Sequence, residues 1–256
     1  MLRLFGRKPK KTSLTPARQP RVPDGMRVYG IGDIHGNFDL LQDLLKQISA
    51  DRTQHADKQH KLIFLGDYID RGTQSRAVIE FLCANDIPGF DVTYLLGNHE
   101  STLLKFLTDT SIGSSWVRYG GAATLGSYGI QASPLETDDE TFRTLQAAMA
   151  AALPDHHLEF LRALEPMHRE GDYLFVHAGV RPGVPIEEQS VQDMTWIREE
   201  FLKSNADHGA LIVHGHSVTT EPEIKPNRIG IDTGAYMSGT LTCLVLEGES
   251  RWLIQT

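Results

Sequence analysis

Three apolar segments in the first hundred residues each end in glycine followed by aspartate or asparagine, and this repeated ending constrains the fold more than any other feature. Met26–Gly32 runs into Gly32-Asp33-Ile34-His35-Gly36. Leu62–Leu65 runs into Gly66-Asp67-Tyr68-Ile69-Asp70-Arg71-Gly72, and Val92–Leu96 into Gly97-Asn98-His99-Glu100. Between them lie segments of helical spacing. Phe38, Leu41, Leu44, Leu45 and Ile48 form one, behind Asn37 as its N-cap; Val78, Ile79, Phe81 and Leu82 form a second; Leu103, Leu104 and Leu107 form a third. Strand and helix in strict alternation predict a parallel sheet with covering helices. In such sheets ligands gather beyond the carboxyl ends of the strands. The spacing therefore brings Asp33, His35, Asp67, Asn98 and His99 to one rim.

The second half is read as less regular. Trp116–Gly121 and the glycine-rich stretch to Gly129 read as loop, whereas Thr141–Leu153 and Pro154–Leu164 read as helices. Strands are expected at Tyr173–His177, Leu211–His214, Arg228–Ile231 and Leu241–Leu246, with a helix over Val191–Leu202. Two of these strands end in His177-Ala178-Gly179 and His214-Gly215-His216, which can reach the same rim.

Carboxylate mixed with imidazole is a ligand set for manganese, iron or zinc rather than calcium or magnesium. Two such metals suit hydrolysis of phosphate esters. One carboxylate must then bridge them, and Asp67 on the central turn is the natural candidate. A lone Gly-Asp at a strand end is usually only a turn, and a lone histidine usually a satisfied structural residue. Five such pieces in order, each at a strand end, are not explained that way.

The series GDIHG, GDYIDRG, GNHE, VHAG and HGH resembles the calcineurin-like metallophosphoesterases, and more narrowly their phosphoprotein-phosphatase branch in its bacterial and phage form. The resemblance runs from about residue 26 to 250. It implies a four-layer α/β/β/α sandwich with two central mixed sheets and a dinuclear centre between them. It further implies that Asp33 and His35 bind one metal, that Asp67 bridges, and that Asn98, His177 and His216 bind the other. His99 would be the general acid, oriented by Asp70, while Arg71 and Arg198 would hold the phosphate. Val218 stands where many nucleases and phosphodiesterases of the superfamily carry a further histidine, so those activities are disfavoured. His214 reads as structural. His55, His60, His156, His157, His168 and His208 fall in no motif and read as surface or structural residues.

The expected activity is metal-dependent hydrolysis of a phosphomonoester, first of all on phosphorylated serine or threonine (tyrosine also) in proteins. A hydroxide bridging the metals would attack directly. Hydrolysis of dinucleoside polyphosphates is the alternative. Two divalent ions are expected, manganese first, with iron or zinc as alternatives. The rim is expected from Trp116–Tyr128 and Arg181–Gln189.

Composition sets the remaining limits. At 40% hydrophobic and 23% charged residues, the 256-residue chain can bury a core, and no apolar run is long enough to span a membrane. Residues 1–25 carry seven basic groups against one acid. Of the 25 basic and 33 acidic groups in the chain, 18 and 32 remain, a net of −14 for the rest. A body so acidic is no general nucleic-acid binder. The basic segment 1–25, with four of the twelve prolines and no hydrophobic periodicity, reads as a flexible leader before one catalytic domain over 26–256. Cys83 and Cys243 read as free thiols in a reducing cytoplasm.

Overall fold

A computed structural model describes residues 19–84 and 87–256. The strands are β1 (Met26–Ile31), β2 (Gln59–Phe64), β3 (Asp91–Tyr94), β4 (Met167–Glu170), β5 (Tyr173–Val176), β6 (Leu211–His214), β7 (Glu223–Ile224), β8 (Arg228–Gly230), β9 (Thr242–Glu247) and β10 (Ser250–Gln255). The helices are α1 (Phe38–Gln54), α2 (Ser75–Cys83), α3 (Asn98–Phe106), α4 (Gly113–Trp116), α5 (Ala122–Ser127), α6 (Asp139–Ala152), α7 (Asp155–Arg162), α8 (Val191–Trp196), α9 (Glu199–Leu202) and α10 (Ala235–Ser238).

The strands form two sheets, in the orders β10-β9-β1-β2-β3 and β4-β5-β6-β8-β7. Both are mixed. β1, β2 and β3 run parallel while β9 and β10 are antiparallel additions, and β5, β6 and β8 run parallel while β4 and β7 close the edges antiparallel.

Side-chain alternation generates the layers. In β5, Tyr173 and Phe175 point between the sheets and Leu174 and Val176 point outward; β6 divides Leu211 and Val213 from Ile212 in the same way. In β1, Val28 faces the second sheet and Tyr29 and Ile31 face the helices. Three separate apolar interfaces result: one between the sheets, and one beneath the helices on each outer side. Three interfaces make four layers, the expected α/β/β/α sandwich with two mixed sheets. Gly30 lies where a side chain would press on the Phe175 ring, so the absence of one lets the sheets approach at that point.

Several expectations are corrected. Residues 116–129 are not loop. α4, a wide helical turn over Val117–Gly121 and α5 occupy the stretch, anchored by buried Trp116, Val117 and Leu125, with Gly120 taking the one non-helical angle (φ 133°). Tertiary burial, not helix propensity, holds these short turns. The expected helix over Val191–Leu202 breaks at Ile197 and Arg198, whose backbone is non-helical, leaving α8 and α9. Asn37 stands at the start of α1 but does not cap with its side chain. Its amide donates to Ile34 and His35 carbonyls, and Gln74 Oε1 accepts from Phe38 N instead. β4, β7 and β10 were not anticipated.

The basic leader was drawn too long. Residues 1–18 of it lie outside the described residues, but the chain is packed well before residue 25. Val22 is fully buried in the inter-sheet core and its N–H donates to Gly248 O. Arg21 N donates to Asp172 Oδ2, and Tyr173 Oη donates to Pro20 O.

Candidate active site

The carboxyl ends of β1, β2 and β3 meet those of β5, β6 and β8 at one rim, and each motif turn projects its polar residue there. The turns are tightly wound. Among the described residues, every non-glycine with positive φ belongs to this rim: His35 (47°), Asp67 (50°), Asp70 (71°), Arg71 (66°) and His216 (62°). Such angles cost about 1–3 kcal/mol each for a side chain with a Cβ, and persist only where surrounding contacts impose them.

Glu100 supplies one such restraint. It is fully buried, and its two oxygens accept the backbone N–H groups of Asp67 (2.9 Å), Tyr68 (2.8 Å), Ile69 (3.2 Å) and Gly97 (3.2 Å). One carboxylate thus braces the turn after β2 against the start of α3. Side chains at Gly97 and Gly215 would run into the carboxylates of Asp67 and Asp33, which is why glycine precedes Asn98 and His216.

Asp67 lies at the centre. His35 Nε2 is 3.5 Å from its Oδ2, His177 Nε2 is 3.4 Å from its Oδ1, and His99 Nε2 is 3.8 Å from its Oδ2. The tautomers are informative. His35 Nδ1 donates to Ile69 O (2.8 Å) and His177 Nδ1 to Leu65 O (2.9 Å). Burial drives the pKa of both rings down, to about 3 for His35, so both are neutral. Each then aims the lone pair of Nε2 at oxygen: His35 at Asp67, His177 at Asp67 and at Asn98 Oδ1 2.9 Å away. Acceptor facing acceptor is repulsive unless a cation lies between. His216 Nδ1 also lies 2.8 Å from Asn98 Oδ1, and burial lowers this ring to about 2.

The opposite wall carries excess negative charge. Burial, then the nearby Asp232 and Asp67 carboxylates, hold the Asp33 carboxyl well above its usual range. Burial also raises Asp232, to about 6. Asp33 Oδ1, His35 Nε2, His216 Nε2 and Asp232 Oδ2 are buried without a hydrogen-bond partner. Orphaned acceptors, crowded carboxylates and lone pairs aimed inward fit a divalent cation site. At this rim two groups have ligand atoms within 4.8 Å of one another: His35, Asp67 and His99, and Asp67, His177 and His216. Asp67 is common to both.

His99 differs from the other rings. Burial works against its imidazolium, but Asp67 and the Asp70 carboxylate outweigh that and raise it to about 9. Its Nδ1 donates to Asp70 Oδ2 at 2.6 Å. Asp70 is itself fully buried, accepting Trp116 Nε1–H at Oδ2 (3.0 Å) and the Thr124 hydroxyl at Oδ1 (2.5 Å). The Arg71 guanidinium stacks over Tyr236 at 4.6 Å, with Nη2 3.3 Å from His99 Nε2.

A cavity of about 370 Å³ opens above these groups, with Arg71, Asn98, His99, Tyr119, Trp196 and Arg198 in its lining. Every residue expected at the site from sequence therefore reaches the rim: Asp33, His35, Asp67, Asn98, His177 and His216 below, His99, Asp70, Arg71 and Arg198 around them. Arg198 gets there through the break between α8 and α9. Of the two expected rim stretches, the first contributes Trp116 and Tyr119. The second does not line the cavity; Arg181 is engaged with Asp193 and Glu200. His214, read as structural, is buried with Nδ1 against Gly215 O and its ring on Phe201. Sequence reasoning missed Asp232 and Tyr236, and it assigned no individual role to Glu100 within its motif or to Trp116 and Thr124 within the expected rim stretch. Asp232 had a partial signal: like the motif aspartates it follows the end of an apolar strand, although isoleucine rather than glycine precedes it.

Two facing mixed sheets with a carboxylate–imidazole cluster at their strand ends define the scaffold of a metal-dependent phosphoesterase. The chain belongs to the calcineurin-like phosphoesterase family, whose family model matches residues 26–238. A relative from Bacillus cereus, the asymmetrical bis(5'-nucleosyl)-tetraphosphatase PrpE, is 29% identical over 237 residues, covering 84% of this chain and 88% of its own. Solved structures share the fold at lower identity. A candidate diadenosine tetraphosphatase aligns with a TM-score of 0.61 at 21% identity, covering 93% of this chain and 98% of its own. A cold-active protein tyrosine phosphatase aligns at 0.59 and 18%, covering 91% and 81%. Among the described residues no helix is long and apolar enough to cross a membrane.

Proposed function

We propose that this metallophosphoesterase hydrolyses dinucleoside tetraphosphates asymmetrically, water cutting one phosphoanhydride to leave a nucleoside triphosphate and a monophosphate. The observation that carries this reading is the cavity wall. Two arginines, Arg71 and Arg198, stand beside two exposed aromatic rings, Tyr119 at 68% and Trp196 at 42% exposure. A dinucleotide presents a polyanion flanked by flat bases, which matches guanidinium and ring in turn. The similarity to the Bacillus cereus tetraphosphatase over most of both chains points the same way. From the motifs alone the phosphoprotein reading stands first, because Tyr119 lies in no motif and Trp196 is read only as the neighbour of Arg198.

Asp33 and His35 would hold one cation, Asn98, His177 and His216 the other, and Asp67 would be shared; manganese would suit the mixed donors. Bound there, the two ions supply a water activated near neutral pH and offset the charge of the phosphate. Arg71 and Arg198 grip the non-reacting phosphate oxygens and set the chain in line. Asp70 fixes the His99 tautomer with Nδ1–H bound, so that Nε2 carries the proton given to the leaving oxygen. Free Cys83 and Cys243 suit a reducing, cytoplasmic setting.

One observation favours hydrolysis of phosphoserine or phosphothreonine as the second reading. An acid held as firmly as His99 is needed most by an alkoxide, a poorer leaving group than a nucleotide phosphate. The test is a rate comparison under Mn²⁺ of diadenosine tetraphosphate against a phosphoserine peptide, with products separated by chromatography. ATP and AMP from the dinucleotide, at the higher kcat/KM, are expected. An untouched dinucleotide, or ADP alone, overturns the reading.

A further inference from the structure

A second cluster of metal-ligating side chains lies apart from the rim. Glu80 on α2 faces His156 and His157, which open α7, and one ligand atom from each lies within 4.8 Å of the other two. His157 Nε2 is 3.0 Å from Glu80 Oε2, and His156 Nε2 is 3.5 Å from Glu80 Oε1. The two rings stand 4.5 Å apart, nearly perpendicular at 75°, so their edges converge on the carboxylate rather than stacking away from it. We infer that Glu80, His156 and His157 form a zinc-class metal site that ties α2 to α7.

The arrangement is more than a surface ion pair. His157 is fully buried, and its other ring nitrogen, Nδ1, lies 2.8 Å from the Tyr128 hydroxyl that follows α5. Without an ion, Nε2–H donates to Glu80 Oε2 and Nδ1 accepts the Tyr128 hydroxyl; because that hydroxyl can equally accept from Nδ1–H, the ring can switch tautomer and turn the Nε2 lone pair to a metal with no loss of partner. A metal-bound histidine characteristically has its outward N–H held in this way. Packing fixes this ring before any ion arrives, so little freedom is lost on binding. Glu80 and His156 are half-exposed, at 59% and 54% of their side chains, leaving an entry path and room for water in the fourth position. Two imidazoles and one carboxylate are the donor set of zinc and of the neighbouring nickel and copper, not of calcium or magnesium. Arg76, one turn earlier on α2, lies over the Tyr128 ring at 5.7 Å rather than on the Glu80 carboxylate.

The location gives the site a consequence. Ser75 at the head of α2 and Thr124 in α5 both accept from Asp70 N, and α7 carries the two histidines. An ion joining Glu80 to His156 and His157 therefore anchors α2, the helix whose first residue, Ser75, holds Asp70 N, to α7.

The experiment uses the full chain already loaded with manganese, with zinc added stoichiometrically. Bound zinc is counted by native mass spectrometry after dialysis, and the melting temperature is recorded with and without zinc. Wild type should hold one zinc equivalent more than His156→Ala and than Glu80→Ala. Its melting temperature should rise with zinc, and theirs should not. Turnover of p-nitrophenyl phosphate with Mn²⁺ should be unchanged in both variants, since neither residue touches the rim. Both positions are exposed, so the variants keep the buried packing of His157. Equal zinc equivalents in wild type and both variants, or an equal thermal response, would overturn the site.

Discussion

Replacing Asp70 by asparagine isolates the charge that holds His99. Asp70 sits at φ 71°, a left-handed angle that asparagine tolerates better than most residues, so the turn keeps its shape. The amide also fits its neighbours. Its oxygen can accept from His99 Nδ1 and Trp116 Nε1, where Asp70 Oδ2 now does, while its nitrogen meets the Thr124 hydroxyl, which can accept. What changes is the charge. A hydrogen bond to an ionised partner is worth about 1.5–3 kcal/mol and a neutral one about 0.5–1.5 kcal/mol. The difference of about 1–1.5 kcal/mol lowers the His99 pKa by roughly one unit. His99 starts at about 9, and cations seated on Asp67 lower both proteins alike. The acid is the protonated ring, so activity is lost as pH rises through its pKa. The assay is kcat/KM against pH for Asp70→Asn and wild type on a phosphoserine peptide, whose alkoxide needs the proton. The alkaline limb should move about one unit lower in the variant, with bound manganese unchanged. On p-nitrophenyl phosphate, whose leaving group needs little help, kcat should fall far less. A limb that does not move, or equal losses on both substrates, would refute the role of Asp70 as the group that sustains the His99 acid.

The other expectations concern binding and stability. Arg198→Ala should lower kcat/KM by about one to two powers of ten with metal content intact, the loss of one hydrogen bond between charged groups; an unchanged value would remove Arg198 from the phosphate grip. In the metal-free protein, the raised His99 pKa makes its contribution to stability full below about pH 6.5 and progressively lost up to about pH 9. The midpoint of urea unfolding should fall across that window in wild type, and less in His99→Asn. Val22→Ala should cost about 2 kcal/mol in urea unfolding, two buried methyl groups plus a small cavity, although the residue precedes the first strand.

The parts of the site legible in the sequence are those whose information is local. A strand, a glycine and a polar residue at its end are consecutive, so GDIHG, GDYIDRG and GNHE could be read without knowing any contact. The same holds for His177 and His216. Trp116 and Thr124 could not be found this way, because they reach Asp70 across 46 and 54 residues of chain through tertiary packing alone. The stretch that carries them was read as loop for the same reason: its helical turns are stabilised by Trp116, Val117 and Leu125 in the core, and its glycines conceal them. Arg198, in Trp196-Ile197-Arg198, is carried by the family resemblance, but its route to the cavity is not, since a continuous helix over Val191–Leu202 satisfies the apolar spacing as well as a broken one. β7 has two residues and β4 four, and such short edge strands leave too little alternation to detect. Val22 is a lone apolar residue among prolines and charges, and nothing local marks it as core.

The central claim is that the turns after β1, β2, β3, β5 and β6 converge to seat two cations on Asp67. Anomalous diffraction from crystals of the protein grown with Mn²⁺ tests it directly. Two peaks about 3.5–4 Å apart are expected, with Asp67 coordinating both, Asp33 and His35 on one, and Asn98, His177 and His216 on the other. A single peak at the rim, or a pair that Asp67 does not bridge, would contradict the account.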